Sequence, residues 1–300
     1  MIRTLQNTIK QDKECFAVPK SVQEAIPIHR LWPDGIFQFG TKYSKSIRLS
    51  DINYAIASKE DKTSMFLGYS ELLNALDTGS TTKITINNKR LNRENFQQEI
   101  LIPRRDDYLD GYRAEYNAML MDKVTDSSNS VVQERYITLS VHRKNIEEAR
   151  AFFDRVTADV VSRLNHLDSH CEELSAMDRL RVLHDFYRTG EESEYRLDLR
   201  DCMRKGHSFK DAICPDSLEF KRDHFRMGEK YGRVLFLKEY ASYIKDSMVG
   251  ELTALNRTMM LSIDVIPVPT DEAVREMQSR LLGVETNVTN WQRRQNSNNN

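Results

Sequence analysis

The chain has 300 residues, 39% of them hydrophobic and 30% charged, and its 44 basic and 45 acidic side chains leave a formal net charge of -1. That length fits one large domain or two ordinary ones, and the balanced charge argues against a dedicated nucleic-acid binder, which carries a basic excess. No apolar run approaches the roughly 20 residues that cross a bilayer, and Met1–Lys20 is polar and mixed in charge rather than a signal sequence, so a cytoplasmic protein is expected.

Residues 1–30 are expected to form an extended lead-in, because Pro19 and Pro27 oppose regular structure. Trp32-Pro-Asp-Gly35 signals a turn, and Ile36–Phe39 starts a strand beyond it. Ser46–Leu49 and Ile52–Ile56 read as strand material broken at Ser50-Asp51. Asp61 stands where it would cap a helix carrying Met65, Phe66, Tyr69, Leu72, Leu73 and Leu76 at spacings of three and four, which predicts one buried face. Asp77-Thr-Gly79 ends that helix, and Thr82–Ile86 alternates like a half-buried strand.

A further helix is expected over Tyr108–Val124, then a surface loop at Asp126–Ser130 and a strand over Arg135–Val141. The strongest helical pattern follows. Ile146, Ala149, Phe152, Phe153, Val156, Val160, Leu164 and Leu167 fall on one stripe, Asn145 holds the capping position, and Glu147 and Glu148 suit the positive end of the dipole.

Beyond residue 170 the pattern predicts a helix over Asp178–Tyr187 and a loop over Gly206–Pro215. Phe225-Arg-Met-Gly-Glu-Lys-Tyr-Gly-Arg-Val-Leu-Phe-Leu237 then reads as strand, tight turn and strand. Gly228 and Gly232 are expected where the turn and its exit need backbone angles that a side chain resists. Val234–Leu237 is a continuous apolar run, as in a strand buried on both faces. A short helix around Ser247–Leu255 precedes a strand over Met259–Ile266, Pro267 and Pro269 stop it, and Thr270 is placed to cap a helix over Asp271–Leu282. Thr289–Asn300 reads as a fraying helix that runs into a polar tail.

These elements imply an α+β fold with mixed or antiparallel sheets and packed helices in a ferredoxin-like split arrangement, rather than a doubly wound parallel sheet. The expected organisation is a lead-in over 1–30, an α+β module with the long amphipathic helix over 31–205, a second α+β subdomain with the hairpin over 206–285, and the start of a linker over 286–300.

Motifs that carry chemistry are missing. None of the 11 glycines is followed by lysine, so there is no Gly-x-x-x-x-Gly-Lys-Ser/Thr phosphate loop, and neither a Gly-x-Gly-x-x-Gly turn nor a Gly-x-Ser-x-Gly elbow occurs. Cys15, Cys171, Cys202 and Cys214 are widely spaced and read as reduced thiols. His166 and His170 stand four apart beside Cys171, a spacing at which two imidazoles can face one zinc ion, although a histidine at a helix end also suits the dipole without any metal. Cys202, His207, Cys214 and His224 have no regular metal-ligand spacing.

Asp106, Asp107 and Asp110, after Pro103-Arg-Arg105, read either as an acid–base or metal cluster or as helix caps. Arg104, Arg105, Arg293 and Arg294, with Trp291, read either as phosphate and base contacts or as solvated charge. The structural role is the one favoured in each case. No catalytic, cofactor-binding or metal-binding residue is assigned, and no cofactor is expected in this chain.

The Phe225–Leu237 hairpin resembles the Phe-Arg-Met-Gly-x-x-Tyr-Gly hairpin of conjugal-transfer ATPases of the VirB/TrbE/CagE type, in the version carried by Gram-positive conjugative elements. The resemblance extends in order through Asp34-Gly-Ile, Asp51-Ile-Asn-Tyr54, Glu60-Asp-Lys-Thr63, Arg135-Tyr-Ile-Thr138, Asp211-Ala-Ile-Cys-Pro215 and Ser217-Leu-Glu-Phe220, and spans roughly residues 30–295. It implies the N-terminal α+β region of such an ATPase, which docks a RecA-like motor on inner-membrane components of a type IV secretion channel and contributes to contacts between subunits. ATP and magnesium would belong to the motor, whose nucleotide loop this chain lacks. The resemblance therefore implies a cytoplasmic, membrane-peripheral module that is not itself an enzyme and does not bind nucleic acid directly.

Overall fold

The structure is a computed structural model and describes residues 19–52, 54, 56–90, 101–125, 131–238 and 247–298. The expected loop Asp126–Ser130 and Cys15 lie outside the described residues. In chain order the elements are α1 (Val22–Ala25), β1 (Arg30–Leu31), β2 (Phe37–Phe39), β3 (Lys42–Leu49), α2 (Lys59–Asn74), β4 (Ser80–Arg90), α3 (Asp110–Thr125) and β5 (Val131–His142). They continue with α4 (Ile146–His166), β6 (Cys171–Glu173), α5 (Ala176–Tyr187), α6 (Leu199–Lys205), β7 (Leu218–Phe220), β8 (Phe225–Met227), β9 (Lys230–Gly232), α7 (Ser247–Thr253), β10 (Met259–Val265) and α8 (Thr270–Asn298).

The main sheet has seven strands in the order β1-β2-β3-β5-β4-β10, with β6 also paired to β3. Every pairing is antiparallel. Strand β2 takes Lys42–Ser44 of β3 and β6 takes Ile47–Leu49, so two short strands share one edge. The order β6-β3-β5-β4 makes β3-α2-β4-β5-α4-β6 a split βαβ pair: β5 sits between the parallel strands β3 and β4, and β3 between β5 and β6. The fold is α+β with the expected ferredoxin-like split.

Alternation along the strands gives the sheet two different faces. One face carries Tyr43, Ile47, Ile137, Leu139 and Val141, all buried, and packs against Leu72 and Leu76 of the α2 segment and Ala149, Phe152, Phe153, Val160 and Leu164 of α4. The opposite face carries Ser44, Ser46, Tyr136, Thr138 and Thr85, and is partly roofed by α5. A smaller core of Ile26, Ile28, Phe37, Ala176, Leu180, Ile213 and Cys214 lies on that side. The segment expected as a lead-in thus contributes buried side chains, and Ser21 caps the single turn α1 by accepting from Glu24 N at 3.2 Å.

Helix α4 keeps its expected stripe, and Asn145 Oδ1 accepts from Glu148 N at 2.9 Å. Helix α2 differs in two ways. Its cap is Ser58, whose Oγ accepts from Asp61 N at 3.1 Å and donates to the Asp61 carboxylate at 2.8 Å, so Asp61 is the third helical residue and answers the cap. Its first turns also leave the core, with Phe66 65% exposed. The described residues of Ile52–Ile56 form no strand: Tyr54 N donates to Ile52 O at 2.7 Å, a local bond that curls the chain away from the sheet.

The second sheet, β7-β8-β9, is the expected hairpin with one strand added. Gly228 takes φ +55 in its turn, as predicted. Gly232 serves another purpose, because a Cβ there would meet the Phe225 ring at 2.2 Å. The strand after it ends early. Val234–Leu237, expected as a buried strand, is irregular and exposed, and α8 runs to Asn298 without a break, joining the helix expected to end at Leu282 to the fraying helix expected from Thr289.

If the α4 stripe holds the module together, Phe153→Ala should cost about 3–5 kcal/mol, and Phe66→Ala should stay within about 0.5 kcal/mol. Urea midpoints of the two variants measure the contrast.

Candidate docking surface

A cleft on the hydroxyl-bearing face of the sheet, and the hairpin with the apolar run that follows it, each offer an unfilled surface. The cleft encloses about 220 Å³. Ser46, Thr85 and Thr138 are on its floor, Ile26 and Ile28 on one wall, and Leu183 and Tyr187 of α5 on the other. Ser46 Oγ and Thr138 Oγ1 bond each other at 2.8 Å, so two floor hydroxyls are already engaged.

Arg179 of α5 also borders the cleft. Its Nη1 donates to Gly35 O and Ser44 O, both at 2.7 Å, its Nη2 donates to Ser44 Oγ at 3.0 Å, and the guanidinium lies 4.0 Å from the Phe37 ring centre. Burial pushes its pKa down to about 9, so the group still carries its charge at neutral pH. The fork matches two carbonyls of different elements and locks the Trp32–Gly35 turn, β3 and α5 together, work that lysine's single ammonium cannot reproduce. Gly35 has to be glycine: its φ is +81 and a Cβ would stand 2.0 Å from Leu174 O.

At the far end of the same face, Tyr136 Oη donates to Glu134 Oε2 at 2.6 Å, and Lys89 Nζ bonds Glu134 Oε2 at 2.8 Å and Asp185 Oδ2 at 2.9 Å. The buried His184 adds an Nδ1 contact to Asp185 Oδ1 at 3.3 Å. Burial works against the Lys89 charge, but the two carboxylates outweigh it and raise the pKa. Burial likewise opposes the Asp185 carboxylate, and the His184 bond with the Lys89 charge brings its pKa down. Desolvation, reinforced by Glu134, holds the Tyr136 phenol protonated. A lysine kept as ammonium and a carboxylate kept ionised are poor proton-transfer groups. This network is a cross-link between β4, β5 and α5.

The hairpin surface is of another kind. Val234, Leu235 and Phe236 are 77%, 83% and 81% exposed, and Phe220 and Tyr231 on β7 and β9 are each 70% exposed. Consecutive apolar side chains left in water form a ribbon of the sort that marks interaction sites, whereas single exposed apolar residues do not. Beside it, Arg233 bonds Asp223 O at 2.8 Å and the Asp223 carboxylate at 3.1 Å, which pins the start of the run to the β7–β8 turn.

Several of the residues weighed for chemistry are already engaged in local contacts. His166 Nδ1 lies 2.6 Å from Ser162 O one turn back, and Cys171 Sγ is 3.5 Å from Ser169 O in the strand that follows the helix. No group of three or more potential metal ligands occurs among the described residues. Asp110, the first residue of α3, accepts from Arg105 N and Asp106 N of the preceding loop at 3.2 and 2.9 Å, and Arg113 bonds both Asp107 and Asp110. Those contacts lower both carboxylate pKa values, that of Asp107 chiefly through Arg113 and that of Asp110 through the Arg105 amide. The side chains of Trp291, Arg293 and Arg294 lie outside what is described.

The sequence reading overlooked Arg179, and its position was the available signal. Ala176 and Leu180 put one face of α5 in the core, and a residue three after the first and one before the second belongs near that face. No protein-family model matches the chain, and no curated protein matches it.

Replacing Lys89 by methionine leaves two carboxylates facing each other without their cation, and should cost about 2–3 kcal/mol at neutral pH. Asp185 has its pKa depressed in the folded state, so its contribution is present above the ordinary carboxylate pKa near 4 and fades as pH falls through the folded value. Urea midpoints of wild type and Lys89→Met should therefore converge in acid. A gap constant from neutral to acid pH would remove the ionic cross-link.

Proposed function

We propose that this chain is the docking and assembly region of a conjugal-transfer ATPase of a type IV secretion system, and that the apolar ribbon after the hairpin is its contact with an inner-membrane component of the channel. The observation that carries the reading is the state of Phe225–Leu237. The segment with the strongest family resemblance ends in apolar residues that the fold leaves exposed.

Two other matched segments support it by being structural. In Asp34-Gly-Ile36, the Asp34 carboxylate accepts from Arg150 Nε of α4 at 2.8 Å, Gly35 fits against Leu174, and Ile36 is fully buried. In Asp211-Ala-Ile-Cys-Pro215, Ile213 and Cys214 are core residues and Cys214 O accepts from Arg188 Nε at 2.8 Å. None of these residues is left over for nucleotide chemistry, in keeping with the absence of a phosphate loop from the sequence. The hydrolytic step belongs to a RecA-like motor using ATP and magnesium, and this module transmits its work.

The module acts at the cytoplasmic face of the membrane. Among the described residues no helix is long and apolar enough to cross a membrane, and in this reading attachment goes through a partner.

Purified chain should bind detergent-solubilised channel components from a conjugative host and release no phosphate from ATP. Leu235→Asp with Phe236→Asp should weaken that binding at least about tenfold, since each removes an apolar anchor from an interface centre. Both side chains face water, so the thermal midpoint should hardly move. Binding that survives both substitutions, or phosphate release by the purified chain, overturns the proposal.

A further inference from the structure

Helix α8 is 29 residues long, the longest helix among the described residues. From Met277 to Val288 every residue is exposed. An unsupported helix is marginal in water, because nucleation is costly and most helical stability in proteins comes from packing one face. This helix carries a further handicap in Gly283, an interior glycine with nothing within 4 Å of where a Cβ would stand. Its length calls for a partner.

The exposed apolar residues specify which kind. Val274, Met277, Leu281, Val284 and Val288 are spaced three, four, three, four, the a-d-a-d-a run of a heptad, and they are 46%, 71%, 60%, 59% and 48% exposed. Over two heptads this spacing makes one continuous stripe, the narrow seam that a second helix covers in a coiled coil. Two of the three a positions, 274 and 288, carry valine and the third is Leu281; β-branched side chains at a pack well in parallel dimers.

Charge decides the orientation and the identity of the partner. The same register puts Arg280 at g and Glu285 at e. In a parallel pair each g position faces the e position five residues further along the other helix, so Arg280 meets Glu285 of the partner subunit, and the two-fold axis repeats the contact. An antiparallel pair sets g against g and e against e, and the match is lost. Arg280 also bonds Glu276 at 2.6 Å, one turn back at the outward c position of its own helix, so the contact across the seam shares the guanidinium with an intrahelical pair.

We propose that α8 is one half of a parallel two-stranded coiled coil, and that its other half is α8 of a second copy of this chain. This assigns a self-association element beyond the docking role, and it stands independently of that role.

The test is sedimentation equilibrium of the full chain from about 1 to about 100 µM, the range in which weak dimers are resolved. A concentration-dependent dimer is expected, and Leu281→Asp should make it monomeric. Arg280→Glu and Glu285→Arg should each weaken self-association about tenfold or more, and an equimolar mixture of the two should recover dimers of one variant with the other. That recovery also controls for helix damage, since both chains keep their substitution. A monomer at every concentration, a dimer indifferent to Leu281→Asp, or a mixture no tighter than its parts overturns the proposal.

Discussion

The structure depends on one face of the central strands. Ile137, Leu139 and Val141 of β5 point the same way between β3 and β4, and α4 covers them with Phe152, Phe153, Val160 and Leu164. Each fully buried side chain of this type contributes about 1.5–3 kcal/mol. A shift of one residue in the register of β5 would turn all three to the other face, where Ser46 and Thr85 wait. Register, sheet order and helix placement are therefore settled together by a single hydrophobic layer.

The opposite face is held by other means. Outside the smaller core around Phe37, Ala176 and Leu180, its residues are short hydroxyls, Tyr136 and a few charges, so area burial fastens only part of α5. Arg179 compensates through its three bonds to Gly35 and β3, and Lys89 does so at the other end through Glu134 and Asp185. Both devices are directional. They locate α5 without filling the space beneath it, which is why a cleft of about 220 Å³ persists there. Hydrogen-bonded charges fix a position at modest net gain in stability, whereas packing fixes it by excluding alternatives.

How much of this was legible follows from pattern length. The α4 stripe runs over more than five turns with a cap and acidic first turn, and it was read correctly from Asn145 onward. β5 and β10 were legible for the same reason. Short signals failed where tertiary context decides. Asp61 and Ser58 are both good caps three residues apart, and only the observed bonds distinguish them. Val234–Leu237 shows the limit most clearly: a run of four apolar residues has the same pattern whether a sheet covers it or water does. The heptad on α8 lies in the sequence, running from Val274 through Leu282, where the helix was expected to end, to Val288.

Both unburied apolar surfaces are built from residues that a folding argument would have put inside. A chain with 39% hydrophobic residues has few to spare, so leaving a valine, two leucines and a phenylalanine in water after β9, and five more apolar side chains along α8, runs against its own stability. Packing explains neither. The ribbon is irregular and adjoins a small sheet with few buried neighbours, a surface able to adapt to a differently shaped partner. The seam is a rigid helix with a fixed repeat and a charge pair in register, and such a surface accepts only a partner built to the same period. That contrast divides the labour: an adaptable surface suits attachment to another protein, and a periodic one suits a copy of itself.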